Sequence, residues 1–200
     1  MEPDLWLFEK KALKKGYSKI AGIDEAGRGP LAGPVVSAAV ILPDSFPVSG
    51  INDSKKLTPK KRASLFEEIY KHAVAVGIGI VGPSEIDRRN ILEASRFSMS
   101  LSVENLALKP DYLLIDGTFQ IASSLPQEAI PKGDTLSISI AAASIIAKVT
   151  RDRMMAKYHQ EYPQFGFAQH KGYPTKAHKA AIKQYGCCPI HRKSFKGVKP

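Results

Sequence analysis

The chain has 200 residues, 44% hydrophobic and 24% charged, with a formal net charge of +10. That length suits one domain with a sizeable core, and the composition excludes a disordered or collagen-like chain. The positive excess argues against a small neutral or acidic substrate as sole partner and for a polyanion, because each neutralised phosphate releases condensed counterions.

From the N-terminus, Leu5, Phe8 and Ala12 recur at helical spacing, lysines fill the opposite face and Gly16 suits the stop, which predicts a helix over 4–15. The apolar run 18–24 reads as a first strand, ending in the adjacent acids Asp24 and Glu25. Gly27-Arg28-Gly29 follows as a turn, whose glycines admit a close neighbour and whose arginine can reach a phosphate. Residues 35–42 are uniformly apolar, a second strand covered on both faces. A polar turn, Asn52-Asp53-Ser54-Lys55-Lys56, leads to Thr58-Pro59, a good cap and first position for a helix running to about Lys71.

Residues 73–80 alternate with period two as a third strand, whose glycines ask for a close neighbour. Ser84 and Asn90 offer two successive helix starts, the second helix running from Ile91 to Leu108. Residues 111–117 form a short apolar strand that follows a helix and ends in Asp116-Gly117, the pattern of a parallel strand whose carboxyl end holds a site. A fifth short strand is expected near Glu128–Pro131. Lys132-Gly133-Asp134 then precedes a helix from about Ile138 to Tyr158, whose Ala-rich first half has no polar face and must be buried. Residues 166–174 read as a loop, Thr175 caps a helix over 176–185, and the chain after Gly186 reads as a basic tail.

The expected architecture is an α/β domain with a mixed sheet of about five strands, the first three antiparallel, spanning residues 1–200 with a core over about 18–160 and a C-terminal helix and tail over 161–200. Two adjacent cysteines are too few for a disulfide framework or a zinc site. With no apolar run of membrane length and no signal-like N-terminus, a cytoplasmic location is expected, with no membrane partner.

Four carboxylates stand out, Asp24, Glu25, Asp116 and Asp134, and three of them terminate apolar strands or abut a buried helix. If the first and fourth strands are neighbours, Asp24 and Asp116 lie side by side. Like charges so close repel unless a hard cation such as Mg²⁺ or Mn²⁺ joins them, and two such ions can flank a phosphodiester. The bland alternatives are turn or N-cap roles for Asp116 and Asp134. Lys55, Lys56, Lys148 and Arg151 are candidate phosphate contacts, although Lys148 and Arg151 lie on a helix that also offers Asp152 as a partner. A module that binds nucleic acid without cutting it explains the charge but not the acids.

In order, GIDEAGRGPLAGPVV (22–36), INDSKKL (51–57), YLLIDG (112–117), KGD (132–134), SISIAAASIIAKVTRDR (137–153), YPQFGFAQHKGYPT (162–175) and HRKSF (191–195) span most of the chain. In these stretches the chain resembles the bacterial ribonuclease HII family, the type 2 ribonucleases H. Phe165 departs from the family pattern, where a tyrosine is common. The resemblance implies a ribonuclease H-like fold, with Asp24, Glu25, Asp116 and Asp134 as catalytic and metal-binding acids and Mn²⁺ or Mg²⁺ as cofactor. It implies endonucleolytic cleavage of RNA–DNA hybrids, and of DNA duplexes at single ribonucleotides, leaving 3′-hydroxyl and 5′-phosphate ends, by a monomer. It also implies that Tyr173 lies against the sugar at the scissile junction. A Gly27-Arg28-Gly29 backbone is suited to bind the 2′-hydroxyl, the one feature separating RNA from DNA at a single position. His170 either assists or supports the loop.

Overall fold

The computed structural model describes residues 4–47, 49–51, 54 and 57–198. Helix α1 (Leu7–Lys14) leads into β1 (Ile20–Ala26) and β2 (Val35–Ile41), which pair antiparallel. Helix α2 (Pro59–His72) begins at Thr58, whose hydroxyl accepts the Lys61 N–H at 3.2 Å. Strand β3 (Ala75–Val81) pairs antiparallel with β2, and helices α3 (Pro83–Arg89) and α4 (Ile91–Glu104) follow. Strand β4 (Tyr112–Asp116) pairs parallel with β1, and β5 (Gln127–Ile130) pairs parallel with β4. Helices α5 (Ile138–Glu161), α6 (Phe167–His170) and α7 (Lys176–Tyr185) complete the order. The sheet runs β3-β2-β1-β4-β5, the mixed five-stranded α/β sheet expected from the sequence.

Side chains alternate across each strand, so the sheet has two different faces. On one face Ala21, Ile23, Ala39, Leu113 and Ile115 pack with Met99 of α4. On the other, Ala38 and Val40 meet α2 and the Ala-rich half of α5, while Ile20 and Leu114 meet Ile140. The glycines of β3 find their close neighbour in α4: a Cβ on Gly77 or Gly79 would collide with the Ser102 or Ser98 carbonyl oxygen.

Three local expectations need correction. Helix α4 stops at Glu104, short of Leu108, and the Asn105 side chain then donates to the Ile78 carbonyl at 2.8 Å. The stretch read as a loop around 166–174 contains α6, preceded by a 3-10 turn at Pro163–Phe165. The residues after Gly186 are no solvated tail, since Cys188, Ile190, His191, Arg192 and Val198 are buried. Cys188 and Ile190 pack with Ala32, Met155, Phe165 and Phe167, which draws the C-terminal segment onto the loop between β1 and β2. Among the described residues no helix is long and apolar enough to cross a membrane.

Candidate active site

The parallel register aligns Ile23 with Ile115, so the next residues, Asp24 and Asp116, stand side by side at the carboxyl ends of β1 and β4. Strand alternation assigns both to the α5 face, the face of Ile20 and Leu114. Asp134 sits in the 3-10 turn Gly133–Thr135 that enters α5, and the Gly133 N–H donates to Asp116 Oδ1 at 2.7 Å. Glu25 takes the opposite pleat at the end of β1.

Burial holds the Asp24 carboxyl well above the usual carboxylate range, and the charges of Glu25 and Asp116 push it further the same way. A hydrogen bond from Ser144 and the Glu25 N–H at 2.6 Å only partly offset this. Glu25 is also raised, first by burial, with Arg28 opposing and Asp116 reinforcing the shift. Its Oε1 accepts from Arg28 Nη1 at 3.3 Å, whereas its buried Oε2 has no hydrogen-bond donor among the described residues. A corner that presses three carboxylates together and leaves a carboxylate oxygen unserved is short of positive charge. That donor set suits a hard divalent cation, which takes oxygen ligands. Among the described residues no group of three or more His, Cys, Asp or Glu side chains is already arranged to hold an ion.

A cleft of about 200 Å³ opens on this corner, lined by Asp24, Glu25, the 26–29 turn, Ser54, Ser144, Lys148, Arg151 and Tyr173. Gly27 adopts φ +101°, and a Cβ there would strike the Arg151 side chain and lie 2.8 Å from the Pro34 carbonyl oxygen, so only glycine fits. Gly29 is less constrained, with the Tyr173 ring 3.5 Å from where its Cβ would stand. Arg28 is half-exposed, turned toward Glu25 and 5.8 Å from the Phe119 ring centroid. Tyr173 is 44% exposed at the cleft mouth.

The candidate phosphate contacts divide. Lys148 lines the cleft and pairs with Asp152 at 2.9 Å. Arg151 needs correction as a phosphate contact. It is 1% exposed, and its guanidinium donates to the carbonyls of Pro34 at 2.9 Å, Lys171 at 3.0 Å and Ala32 at 3.0 Å. Each charge-assisted bond contributes about 1.5–3 kcal/mol, so Arg151 stays where it is and ties the 32–34 turn to the Tyr173 loop. Lys55 and Lys56 lie outside the described residues.

Two functional groups escaped sequence reading. Arg192, read only as part of the basic tail and of the HRKSF stretch, is fully buried. It donates to the carbonyls of Gly27 at 2.6 Å, Arg28 at 3.0 Å and Gly33 at 2.9 Å. Burial, then the nearby Arg151, pulls its pKa down to about 9, which leaves it charged at neutral pH. The peptides are trans, so fixing the Gly27 and Arg28 carbonyls toward Arg192 turns the Arg28 and Gly29 N–H groups the opposite way. Ser144, bonded to Asp24 and 2.9 Å from the Ser54 hydroxyl, is the second. Its signal was a hydroxyl on a helix segment with no polar face.

The family model described as Ribonuclease HII matches residues 21–198. The Ribonuclease HII of Geobacter metallireducens is 57% identical over 198 residues, 99% of this chain and 93% of its own length. That of Geobacter sulfurreducens is 56% identical, over 99% of this chain and 91% of its own length. Among solved structures, the ribonuclease H2 from Pyrococcus horikoshii OT3 superposes with a TM-score of 0.78 at 31% identity, over 90% of this chain and 95% of that one.

Proposed function

The chain belongs to the ribonuclease HII family, metal-dependent endoribonucleases that cut RNA–DNA hybrids and remove ribonucleotides from DNA, and we propose that the Asp24–Glu25–Asp116–Asp134 corner is where it cuts. The observation that carries this reading is the parallel register of Ile23 with Ile115, which sets Asp24 beside Asp116 in a corner where burial and like charge both disfavour ionisation of Asp24.

Asp24, Glu25, Asp116 and Asp134 would hold the divalent cation, Mg²⁺ or Mn²⁺ by the hardness of their oxygens. When bound it supplies positive charge that activates water and stabilises the leaving oxygen of a phosphodiester. The protein's own groups do the rest. The Arg28 and Gly29 N–H groups, presented by Arg192 from behind, donate to the 2′-hydroxyl of the ribonucleotide 5′ to which the strand is cut. Tyr173 lies against that sugar at the junction, which excludes water and fixes the strand's register. Ser144 and the Glu25 N–H hold the Asp24 carboxylate in one orientation. Arg28, Lys148, Lys55 and Lys56 meet the flanking phosphates, and a DNA partner strand fills the remaining basic surface. The enzyme acts as a monomer in the cytoplasm, leaving 3′-hydroxyl and 5′-phosphate ends.

The test is a DNA duplex carrying one ribonucleotide, assayed beside an all-DNA control with Mg²⁺, with Mn²⁺ and with chelator. Metal-dependent cutting of the first duplex alone is expected. Equal cutting of both would contradict the 2′-hydroxyl reading.

A further inference from the structure

We propose that His178 and His191 form a neutral hydrogen-bonded pair that holds Tyr173 at the cleft, making them positioning residues for ribonucleotide recognition. The inference rests on the reading of Tyr173 given above and names the device that sets it.

The pair begins at the tyrosine itself. His178 Nδ1 lies 2.9 Å from the Tyr173 carbonyl oxygen, and His178 Nε2 lies 3.1 Å from His191 Nε2. His191 Nδ1 in turn accepts the Cys188 N–H at 3.0 Å, with the Cys188 thiol 3.1 Å away. These partners fix the protons without further assumption. A carbonyl can only accept, so His178 Nδ1 carries hydrogen. A backbone N–H can only donate, so His191 Nδ1 is bare. In the neutral pair His178 Nε2 is therefore the acceptor and His191 Nε2–H the donor.

Everything packed around the pair favours this neutral state. His178 is fully buried and His191 is 1% exposed, against the rings of Phe165 and Phe167. His170 stacks on His178 at 4.5 Å, and its own tautomer is fixed the same way: Nε2 donates to the Phe165 carbonyl at 2.7 Å and Nδ1 accepts from Gly172 N–H at 3.1 Å. Among the described residues, the titratable and charged groups that face the cluster are Cys188 with Cys187 beside it, His170 and, beyond His170, His159 and Lys171, and no carboxylate is there to hold an imidazolium. Burial and the adjacent His178 hold His191 down to about 4, and burial lowers His178 and His170 as well.

A core needing only volume here would use leucine or phenylalanine. Two imidazoles in fixed tautomers instead give direction to one carbonyl, that of the residue whose ring faces Gly29. The next residue after His191 is Arg192, which grips the Gly27 and Arg28 carbonyls. One two-residue step thus sets both walls of the ribose side of the cleft.

The experiment compares Tyr173→Ala, His178→Ala, His178→Asn and the Tyr173→Ala/His178→Ala double variant on the single-ribonucleotide duplex, with KM and kcat separated and folding checked by melting. His178→Ala is expected to lower kcat/KM about tenfold, the scale of one to two kcal/mol for a hydrogen bond. His178→Asn keeps a donor at the Nδ1 position and should recover most of that loss. The double variant should be no worse than Tyr173→Ala. Histidine ¹⁵N spectra at neutral pH should show Nδ1–H on His178 and Nε2–H on His191, whatever the variants' stability. If Tyr173→Ala cuts like the parent enzyme, the reading of Tyr173 itself is wrong. If Tyr173→Ala is impaired but the losses multiply in the double variant, or asparagine does not rescue, or an imidazolium is seen, the positioning role is overturned while that reading stands.

Discussion

The acid corner and the histidine cluster both bury ionisable side chains, but their hydrogen bonding is opposite. In the corner, Glu25 and Asp116 both raise the cost of ionising Asp24, Asp116 raises that of Glu25, and Glu25 Oε2 has no donor among the described residues. In the cluster, the ring nitrogens of His170, His178 and His191 each have a partner of definite polarity. Burying polar groups is tolerable only when they are served, so the cluster is closed and the corner is waiting for charge from outside. An incomplete polar site crowded with like charge is where a cation gains most. A complete one marks what holds the walls of the site in place.

The sharpest way to break this contrast is Asp24→Asn. Cleavage should fall by several orders of magnitude in single-turnover assays. The metal-free protein should at the same time melt higher, by about 2–4 °C for each kcal/mol of repulsion relieved. A variant that still cuts at the parent rate would remove Asp24 from the chemistry, and one that melts lower would show the corner is not strained.

Arg192→Ala probes the satisfied side. It leaves the Gly27, Arg28 and Gly33 carbonyls without their donor and should cost about 3 kcal/mol or more in urea unfolding. Lysine should rescue little, because a point charge cannot serve three carbonyls in a fork. A loss under half a kcal/mol would mean the turn holds itself.

Acid is the gentlest probe. The folded pKa of His191 lies near 4, below its ordinary 6.5, so the unfolded chain binds the extra proton first. The stability that the neutral cluster contributes is complete above pH 6.5 and is lost as pH falls from there toward 4. Urea midpoints at pH 7.5, 5.5 and 4.5 should decline in that order, and His191→Asn should flatten the decline. A parent protein whose midpoint holds steady through that window would show that the cluster is not neutral when folded.

Much of this was legible in the sequence because it depends on short-range pattern. Short apolar runs, with period-two alternation in the third, gave the strands, Thr58, Asn90 and Thr175 the helix starts, and acids at strand ends the corner. The alignment of Asp24 with Asp116 needed only the added premise that β1 and β4 are neighbours, and the sheet order supplies it. Arg151 and Arg192 were misjudged for a physical reason. An arginine's composition signal is the same whether it faces phosphate or a set of buried carbonyls, and only the fold tells which. His178 and His191 were unreadable in the same way, since their bond joins α7 to a segment that looked like a tail. Glu9 is a further case. It sits on a helix that reads as amphipathic, yet its Oε1 is buried among Ser137 and Ser139 at the start of α5.

The most direct test of the shared corner is a titration of Mn²⁺ into the nucleic-acid-free protein, followed by melting temperature, in the parent chain and in Asp24→Asn and Asp116→Asn. The melting temperature of the parent should climb with the logarithm of free Mn²⁺, by the equivalent of about 2.7 kcal/mol at a hundred times the dissociation constant, and that of each variant much less. Equal rises in all three chains, or none in the parent, would contradict the shared corner.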